Sequence, residues 1–186
     1  MKLVITGNPG VGKHTSAKII AQRLGAEVID INKIALEKNA IAEKTAHGIE
    51  VDVKKLTRLL TESLDKKNDQ IIVGHLAPYV VRSAGITTVA VLRRSPYKLE
   101  KTLKDRGYSD KKVRENLESE VLGISLHDAM KRFGKRKVSE FNTTNLTALQ
   151  TAEEIISSIR EKPESVWIDW LGEITERGDL KKFFDY

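Results

Sequence analysis

The sequence predicts an α/β fold, in which a parallel sheet is covered by helices on both faces to give three layers. Two observations lead to this prediction. Short apolar runs alternate along the chain with stretches in which apolar residues recur at helical spacing. The first apolar run leads into a glycine-rich loop that opens a helix. A chain of 186 residues is enough for one such domain with a short appendage.

Apolar runs predict five strands, of which the last is an edge strand. In chain order they cover residues 3–6, 27–30, 70–75, 87–92 and 138–141. The third run is apolar on both faces until it ends in Gly74-His75, as in a central parallel strand. The fourth ends at Arg93. Ligands bind at the carboxyl ends of parallel strands, so the glycine loop, His75 and Arg93 are expected on one rim of the sheet.

Apolar stripes and caps predict the helices. They cover residues 17–24, 52–64, 95–105, 109–133 and 147–159. Asp52 caps the second helix, Ser109 or Asp110 caps the long fourth helix, and Gly134 ends it. Residues 31–48 are mixed in pattern with a helical tendency. Together with the second helix they form an insertion between two strands.

The glycine-rich loop is a phosphate-binding loop (P-loop) of the pattern G-x-x-x-x-G-K. Its glycines let the backbone adopt positive φ and approach phosphate oxygens that a Cβ would block. The loop opens a helix, so unpaired N–H groups and the helix dipole face the same anion. Lys13 adds a full charge toward the β and γ phosphates. The predicted nucleotide-binding residues of the loop are Gly7, Gly10, Val11, Gly12, Lys13, His14 and Thr15.

The ligands of Mg²⁺ are less evident than those of phosphate. His14 occupies the position at which P-loop proteins usually place a metal-binding hydroxyl, and the hydroxyl follows one residue later in Thr15. The acidic residue of the metal shell usually lies near the end of the third strand, where this chain has Val73. We expect Thr15 and Asp30 to serve the metal, with Asp30 as a helix cap being the alternative.

Lys13, His75 and Arg106 are the predicted catalytic residues. His75, at a strand end, either positions water or polarises a phosphate, or only hydrogen-bonds its neighbours. Arg93, Arg94 and Arg106 are candidates to clamp the transferred phosphoryl group, because planar guanidinium donors match phosphate. We assign Arg93 and Arg106 to nucleotide binding. Surface salt bridges are the alternative for each arginine.

Composition limits the possible classes. The absence of cysteine excludes disulfides and thiolate metal sites. No apolar run reaches the roughly 18–20 residues of a membrane span, and the first residues do not resemble a signal peptide. We therefore expect a cytoplasmic protein without membrane contact, and a monomer. A net charge of +6 suits polyanionic partners such as nucleotides or RNA.

Two stretches fall outside these motifs. Five of the seven residues in 131–137 are basic, which indicates either RNA backbone contact or a solvated helix end. Beyond Pro163 lie both tryptophans and two of the four phenylalanines of the chain. We expect this extension, residues 163–186, to pack on the core of the domain over 1–162. A partner-binding helix is the alternative.

The sequence resembles the atypical adenylate kinases that double as ribosome-assembly ATPases. This group contains the coilin-interacting nuclear ATPase of animals and its archaeal counterparts. The resemblance spans about residues 1–160, and an Asp-Trp-Leu tail of the archaeal branch also occurs at 169–171. The residues that carry it are Ile5 to Lys13, Gly74-His75, Val91 to Arg93, Arg106 to Tyr108, Lys111 to Val113 and Glu115-Asn116.

The resemblance implies an adenylate-kinase-like fold with a small monophosphate-binding insertion at about 30–53 and a short lid at about 104–114. Arg106 falls on the lid arginine that contacts ATP. The family combines monophosphate kinase and ATPase activities and acts late in small ribosomal subunit maturation and rRNA processing, by binding a platform ribosomal protein, the eleventh universal one. His14 replaces the family's usual Thr, and Val73 replaces an acidic residue of some members; both departures concern the metal rather than the nucleotide.

These observations predict an enzyme that uses ATP and Mg²⁺ to phosphorylate a nucleoside monophosphate, with AMP as the expected acceptor and slower hydrolysis when water replaces it. The alternative is an ATP-dependent binding switch for a small-subunit ribosomal protein, with rRNA as a further possible contact. A GTPase switch is disfavoured, because the sequence lacks the Asn-Lys-x-Asp motif that recognises the guanine base. Asn32-Lys33 begins like this motif but continues with Ile34-Ala35.

Overall fold

Strands and helices alternate through the computed structural model, which describes residues 1–45, 48–64, 68–161 and 167–184. In chain order the elements are β1 (Lys2–Thr6), α1 (Lys13–Leu24), β2 (Glu27–Asp30), α2 (Ile31–Glu37), β3 (Ile41–Thr45), β4 (Gly48–Val51), α3 (Val53–Ser63), β5 (Gln70–Val73), α4 (Ala77–Val80), β6 (Thr88–Arg93), α5 (Pro96–Asp105), α6 (Asp110–Val121), α7 (Ile124–Phe133), a 3₁₀ turn (Lys135–Lys137), β7 (Val138–Asn142), α8 (Ala148–Glu161), α9 (Trp170–Glu176) and α10 (Leu180–Phe183). Among the helices of these residues, none combines the length and the apolar character that a membrane crossing needs.

The central sheet is parallel throughout and has the strand order β2-β5-β1-β6-β7. The predicted parallel sheet is therefore confirmed, with β7 at the predicted edge. Parallel strands place all their carboxyl ends on one rim. The loop after β1, Asp30 at the end of β2 and His75 after β5 consequently meet there.

Helices cover both faces of the sheet, as predicted. Alternate residues of β1 point to opposite sides. Leu3 and Ile5 join the core formed with α1, α5, α6 and α8, whereas Val4 joins the core formed with α3, α4 and α7. The three-layer α/β architecture predicted from the alternating pattern is therefore confirmed.

The segment from residue 31 to residue 48 differs from its predicted helical tendency. Helix α2 is only seven residues long, and Asn39 follows it with a φ of 49°. The chain then forms an antiparallel hairpin of β3 and β4, in which Ile41 pairs with Val51. The apolar residues at 34, 35 and 41 fit a helical face by spacing alone, but the left-handed turn at Asn39 reverses the chain before that face can continue.

The long helix predicted over residues 109–133 is two helices. Ser109 caps α6 as predicted, by accepting a hydrogen bond from the Lys112 N–H, but α6 ends at Val121 and α7 begins at Ile124. Gly123 lies between them with a φ of 66°, which a residue with a Cβ rarely adopts. The apolar stripe continues across this break, so helical periodicity alone does not reveal it.

The C-terminal helices α9 and α10 pack on the sheet core. Trp170, Ile174 and Phe183 are buried, whereas Trp167 and Leu171 are each 40% exposed. The Phe183 ring meets Tyr97 of α5 edge-on, with 5.1 Å between the ring centroids. The predicted domain boundary at Pro163 lies outside the described residues.

Substitution of Gly7 by Ala should destabilise the protein. A Cβ on Gly7 would lie 2.3 Å from the Leu92 carbonyl oxygen, at a φ of 131°. Because backbone cannot move aside cheaply, we expect the free energy of unfolding to fall by about 3 kcal/mol and the Tm by roughly 10 °C. Thermal unfolding measures this. Gly85→Ala is the matched control, since Gly85 also has positive φ but a Cβ there would meet no atom of the described residues within 4 Å other than those of its chain neighbours. An equal loss there would exclude the clash as the cause.

Candidate active site

The P-loop presents the start of α1 to solvent without a side-chain cap. Gly12 is the N-cap residue, with a φ of 98°, and within the part of the chain that the structure describes no side-chain cap hydrogen bond forms there. The first turn of α1 also carries no acidic residue. Uncapped N–H groups at a helix start, together with the helix dipole, form an anion-binding site. The local structure of this loop therefore fits a phosphate group.

Lys13 lies within the same loop and is almost completely buried. Its Nζ donates to the carbonyl oxygen of Asn8 at 2.7 Å. The pKa of Lys13 is lowered to about 7, mainly by burial; among the nearby charges, Glu120 and Asp30 raise the pKa and Arg106 lowers it. A buried ammonium with one carbonyl partner gains strongly from an incoming anion.

A cavity of about 170 Å³ lies over the loop. Its walls come from the P-loop, α1, α2, the end of β5 and the turn between α5 and α6. They are formed by Pro9, Gly10, Gly12, Lys13, His14, Thr15, Asn32, His75, Arg106 and Tyr108. Pockets for whole small ligands usually measure about 300–1,000 Å³. The cavity therefore suits the phosphate portion of a nucleotide, and the structure brings most predicted site residues around it.

His75 reaches this cavity because β5 ends at Val73 and Gly74 packs closely. A Cβ on Gly74 would lie 2.8 Å from the Ile31 Cβ, so only glycine permits this approach. The pKa of His75 is lowered to about 4, first by burial and then by the charges of Lys13, His14 and Lys112. The imidazole lines the cavity and is neutral near pH 7. It can therefore orient water or a hydroxyl but does not add positive charge.

The predicted metal residues lie close to the loop. Asp30 pairs in register with Val73, so its carboxylate lies on the strand beside the position at which we expected an acidic residue. One Asp30 oxygen caps α2 by accepting from the N–H groups of Asn32 and Lys33, and the other lies 3.2 Å from His14 Nε2. The interpretation of Asp30 as a helix cap is confirmed, whereas its role as a metal ligand stays a prediction.

The donor set can be tested against Mg²⁺. Within the described residues, no cluster of three His, Cys, Asp or Glu side chains could hold a metal by itself. Enzymes that bind Mg²⁺ with a nucleotide hold it through one or two protein ligands, substrate phosphates and water. The exposed hydroxyl of Thr15 and the carboxylate of Asp30 are oxygen donors of this kind, so the residues present fit the metal.

The assignment of Arg93 to nucleotide binding is corrected by the structure. Arg93 is 1% exposed, and its guanidinium pairs with Glu120 at 2.7 Å and with Glu140 at 2.5 Å. The single positive charge of Arg93 is thus paired with two buried carboxylates, and neither Arg93 nor these carboxylates line the cavity. Its neighbour Arg94 approaches the loop instead, since Arg94 Nη1 lies 3.4 Å from the Gly10 carbonyl oxygen.

Several residues that the sequence did not single out support or line the site. Asn32 and Tyr108 line the cavity. Thr143, after β7, donates a hydrogen bond to the Val11 carbonyl at 3.1 Å and thereby stabilises the loop. Glu120 could have been found, because it lies on the buried stripe of α6 with Val113, Leu117 and Val121, and a carboxylate on an apolar stripe requires a partner.

The affinity for a nucleoside diphosphate should fall as the pH rises above 7. Lys13 binds phosphate only when protonated, and its pKa is about 7 before an anion arrives. Bound phosphate raises this pKa, so binding above pH 7 takes up a proton and weakens by up to about tenfold per pH unit. Calorimetric titration with ADP between pH 7 and 9 measures the slope. Lys13→Arg stays charged throughout, so an equally steep slope in that variant would contradict the assignment.

The chain was compared with known protein families. The family described as AAA domain (AAA_18) matches residues 3–123, which contain the P-loop, β5, β6 and the α5–α6 turn. The match thus covers more than half of the chain and includes all the elements that line the cavity.

Curated relatives and solved structures agree with this match. Proteins named "Putative adenylate kinase" from Methanocaldococcus jannaschii and Pyrococcus abyssi are 33% and 35% identical to the chain, over 100% and 91% of its length and 97% and 91% of theirs. Among solved structures, shikimate kinase from Bacteroides thetaiotaomicron has a TM-score of 0.57 at 16% identity, covering 86% of this chain and 98% of its own. Gluconokinase from Sinorhizobium meliloti has a TM-score of 0.56 at 13% identity, covering 87% and 92%. These two structures support the fold alone.

Proposed function

Because this chain belongs to the adenylate-kinase-like family of its archaeal relatives, we propose that it is a nucleoside monophosphate kinase that transfers the γ-phosphoryl group of ATP to AMP. The observation that supports this most is the convergence on one cavity of an uncapped helix start, a buried lysine and an arginine from a separate turn. Phosphoryl transfer needs this combination, because its catalysis consists of positioning and charge stabilisation.

Different residues of the cavity have different roles in the proposed reaction. The N–H groups at the start of α1 and the Lys13 ammonium hold the β and γ phosphates. Arg106, in the turn between α5 and α6, neutralises charge that develops on the transferred group. The neutral imidazole of His75 orients the attacking oxygen, whether it belongs to the acceptor or to water. No covalent intermediate is needed, since the acceptor displaces ADP directly.

Thr15 and Asp30 would hold Mg²⁺, and the metal would supply further positive charge to the polyphosphate. The insertion from α2 to α3 binds the acceptor, because Asn32 at its start lines the same cavity as the loop. When no acceptor is bound, water reaches the γ phosphate and the enzyme hydrolyses ATP slowly.

The proposal is tested by following ADP formation from Mg-ATP with AMP, with CMP, GMP or UMP, and without an acceptor. We expect ADP to form fastest with AMP and slowest without an acceptor. If no monophosphate accelerates ADP formation above the rate without an acceptor, the chain is not a monophosphate kinase. Omission of Mg²⁺ should abolish turnover. Turnover that persists without Mg²⁺ would show that the reaction does not depend on the metal.

A second candidate function is an ATP-dependent binding switch in small ribosomal subunit maturation. It is supported by the resemblance of the sequence to the ribosome-assembly ATPases and by four exposed basic residues. Lys131 and Arg132 lie in the last turn of α7, and Lys135 and Arg136 follow it. The eleventh universal ribosomal protein, with rRNA beside it, is the proposed partner. Affinity capture of that protein with and without ATP is the test: recovery that ignores the nucleotide, or no recovery, excludes a switch.

A further inference from the structure

A buried carboxylate joins the C-terminal helices to the P-loop. Glu120, on α6, is 0% exposed. Its Oε2 accepts a hydrogen bond from Asn8 Nδ2 at 2.7 Å, and its Oε1 accepts one from Trp170 Nε1 at 3.2 Å. One carboxylate therefore contacts a residue of the P-loop through one oxygen and a residue of α9 through the other.

The position of Glu120 is strongly determined. Arg93 Nε donates to Oε1 at 2.7 Å, the Arg94 N–H donates to the same oxygen at 3.1 Å, and Arg93 Nη2 donates to the Glu120 carbonyl at 2.6 Å. A buried charge is costly unless it is paired and fully hydrogen-bonded. Removing one donor therefore changes the energy and the orientation of a group that has no water to replace the lost partner.

Asn8 transmits this position to the phosphate-binding lysine. Its side-chain oxygen accepts from the hydroxyls of Ser119 at 3.0 Å and Ser125 at 3.4 Å, while its amide donates to Glu120. The backbone carbonyl of the same residue accepts from Lys13 Nζ. Residues of α6 and α7 thus hold the side chain of Asn8, and the backbone carbonyl of Asn8 in turn contacts Lys13.

We propose that Glu120 is a positioning residue for the phosphate-binding loop and that Trp170 orients Glu120, so the C-terminal helix α9 supports nucleotide binding. This inference rests on the proposed function only in requiring that the loop binds a nucleotide. Neither Glu120 nor Trp170 lines the cavity. Both act through Asn8.

Trp170→Phe tests the proposal most cleanly, because it removes the indole N–H and keeps an aromatic ring in the buried position. We expect ADP binding to weaken by roughly tenfold, the order of effect of a hydrogen bond to a charged group. Phe183→Leu is the matched control: Phe183 is 1% exposed, against 6% for Trp170, lies in the same C-terminal segment and packs on Tyr97 instead of on Glu120. It should lower the Tm without weakening ADP binding.

A double-mutant cycle provides a second readout that a general loss of packing would not reproduce. If Trp170 acts through Glu120, Glu120→Gln should weaken ADP binding, and adding Trp170→Phe to Glu120→Gln should weaken it little further, because residues in one hydrogen-bond network are not additive. Glu140→Gln also removes one carboxylate from Arg93, but Glu140 accepts from Arg93 and from the Ile168 N–H. Trp170→Phe should therefore keep its full effect when it is added to Glu140→Gln.

The outcomes separate the two proposals. If wild-type protein does not bind ADP, the proposed function fails. If the wild type binds ADP and Trp170→Phe binds it equally well, the positioning role is wrong. The role is also wrong if Phe183→Leu weakens binding as much as Trp170→Phe does, because the effect would then come from packing of the C-terminal helices. Weaker binding in Trp170→Phe but not in Phe183→Leu, with little further loss when Trp170→Phe is added to Glu120→Gln, supports it.

Discussion

Replacement of Lys13 by Met should reduce phosphoryl transfer by at least about a thousandfold. Methionine keeps the length of the buried side chain but removes the charge directed at the polyphosphate, in a site that has little water to replace it. The loss of a single preorganised donor already costs about 10²–10³-fold in comparable sites. Initial rates of ADP formation from Mg-ATP and AMP measure the effect. The fold itself should survive, because Met relieves the cost of burying an ammonium.

Lys18→Met is the matched control for this experiment. Lys18 lies on the same helix, one to two turns after Lys13, and is exposed. We expect its rate to stay within about twofold of the wild type, as for surface substitutions away from a site. Wild-type turnover by Lys13→Met, or an equal loss in both variants, would show that the P-loop lysine does not carry the chemistry.

Substitution of Arg106 by Ala should lower kcat by about 10²–10³-fold and change the ADP affinity much less. Arg106 follows α5, lines the cavity beside Lys13 and is exposed, so it is free to close over a bound phosphate. A guanidinium that stabilises charge developing during transfer affects kcat more than ground-state binding. Arg106→Lys should not restore the rate, since an ammonium cannot make the bidentate contact.

Steady-state kinetics with AMP as acceptor, combined with ADP titration, separates these two effects of Arg106. Arg23→Ala serves as the control, because Arg23 lies in the last turn of α1 and pairs with Glu153 at the protein surface. A loss of affinity equal to the loss of rate would make Arg106 a binding residue only. An unchanged rate would remove it from the mechanism.

The sheet and its rim could be predicted from the sequence because their signals are local. Each buried strand is a continuous apolar run, and the P-loop carries its own strand-loop-helix context. The two errors in the predicted secondary structure arose where the apolar spacing continued across a residue with a left-handed backbone conformation. Asn39 turns the chain into the β3–β4 hairpin, and Gly123 separates α6 from α7. Spacing records which residues are apolar but not where a left-handed residue interrupts the helix.

The candidate site was predictable in part for a related reason. Lys13, His75 and Arg106 follow motifs whose positions on the rim are set by the fold. Arg93 also ends a strand, but its partners Glu120 and Glu140 come 27 and 47 residues later in the chain. Only the folded structure shows that these carboxylates neutralise it. The same long-range packing brings Trp170 into contact with Glu120, which no local pattern indicates.

A crystal structure with ADP bound would test the central claim most directly, namely that the P-loop and its lysine hold a polyphosphate. We expect the β phosphate to lie against the N–H groups at the start of α1, with Lys13 Nζ donating to a phosphate oxygen in addition to, or instead of, the Asn8 carbonyl. ADP bound away from the loop, with Lys13 still contacting only Asn8, would contradict this claim.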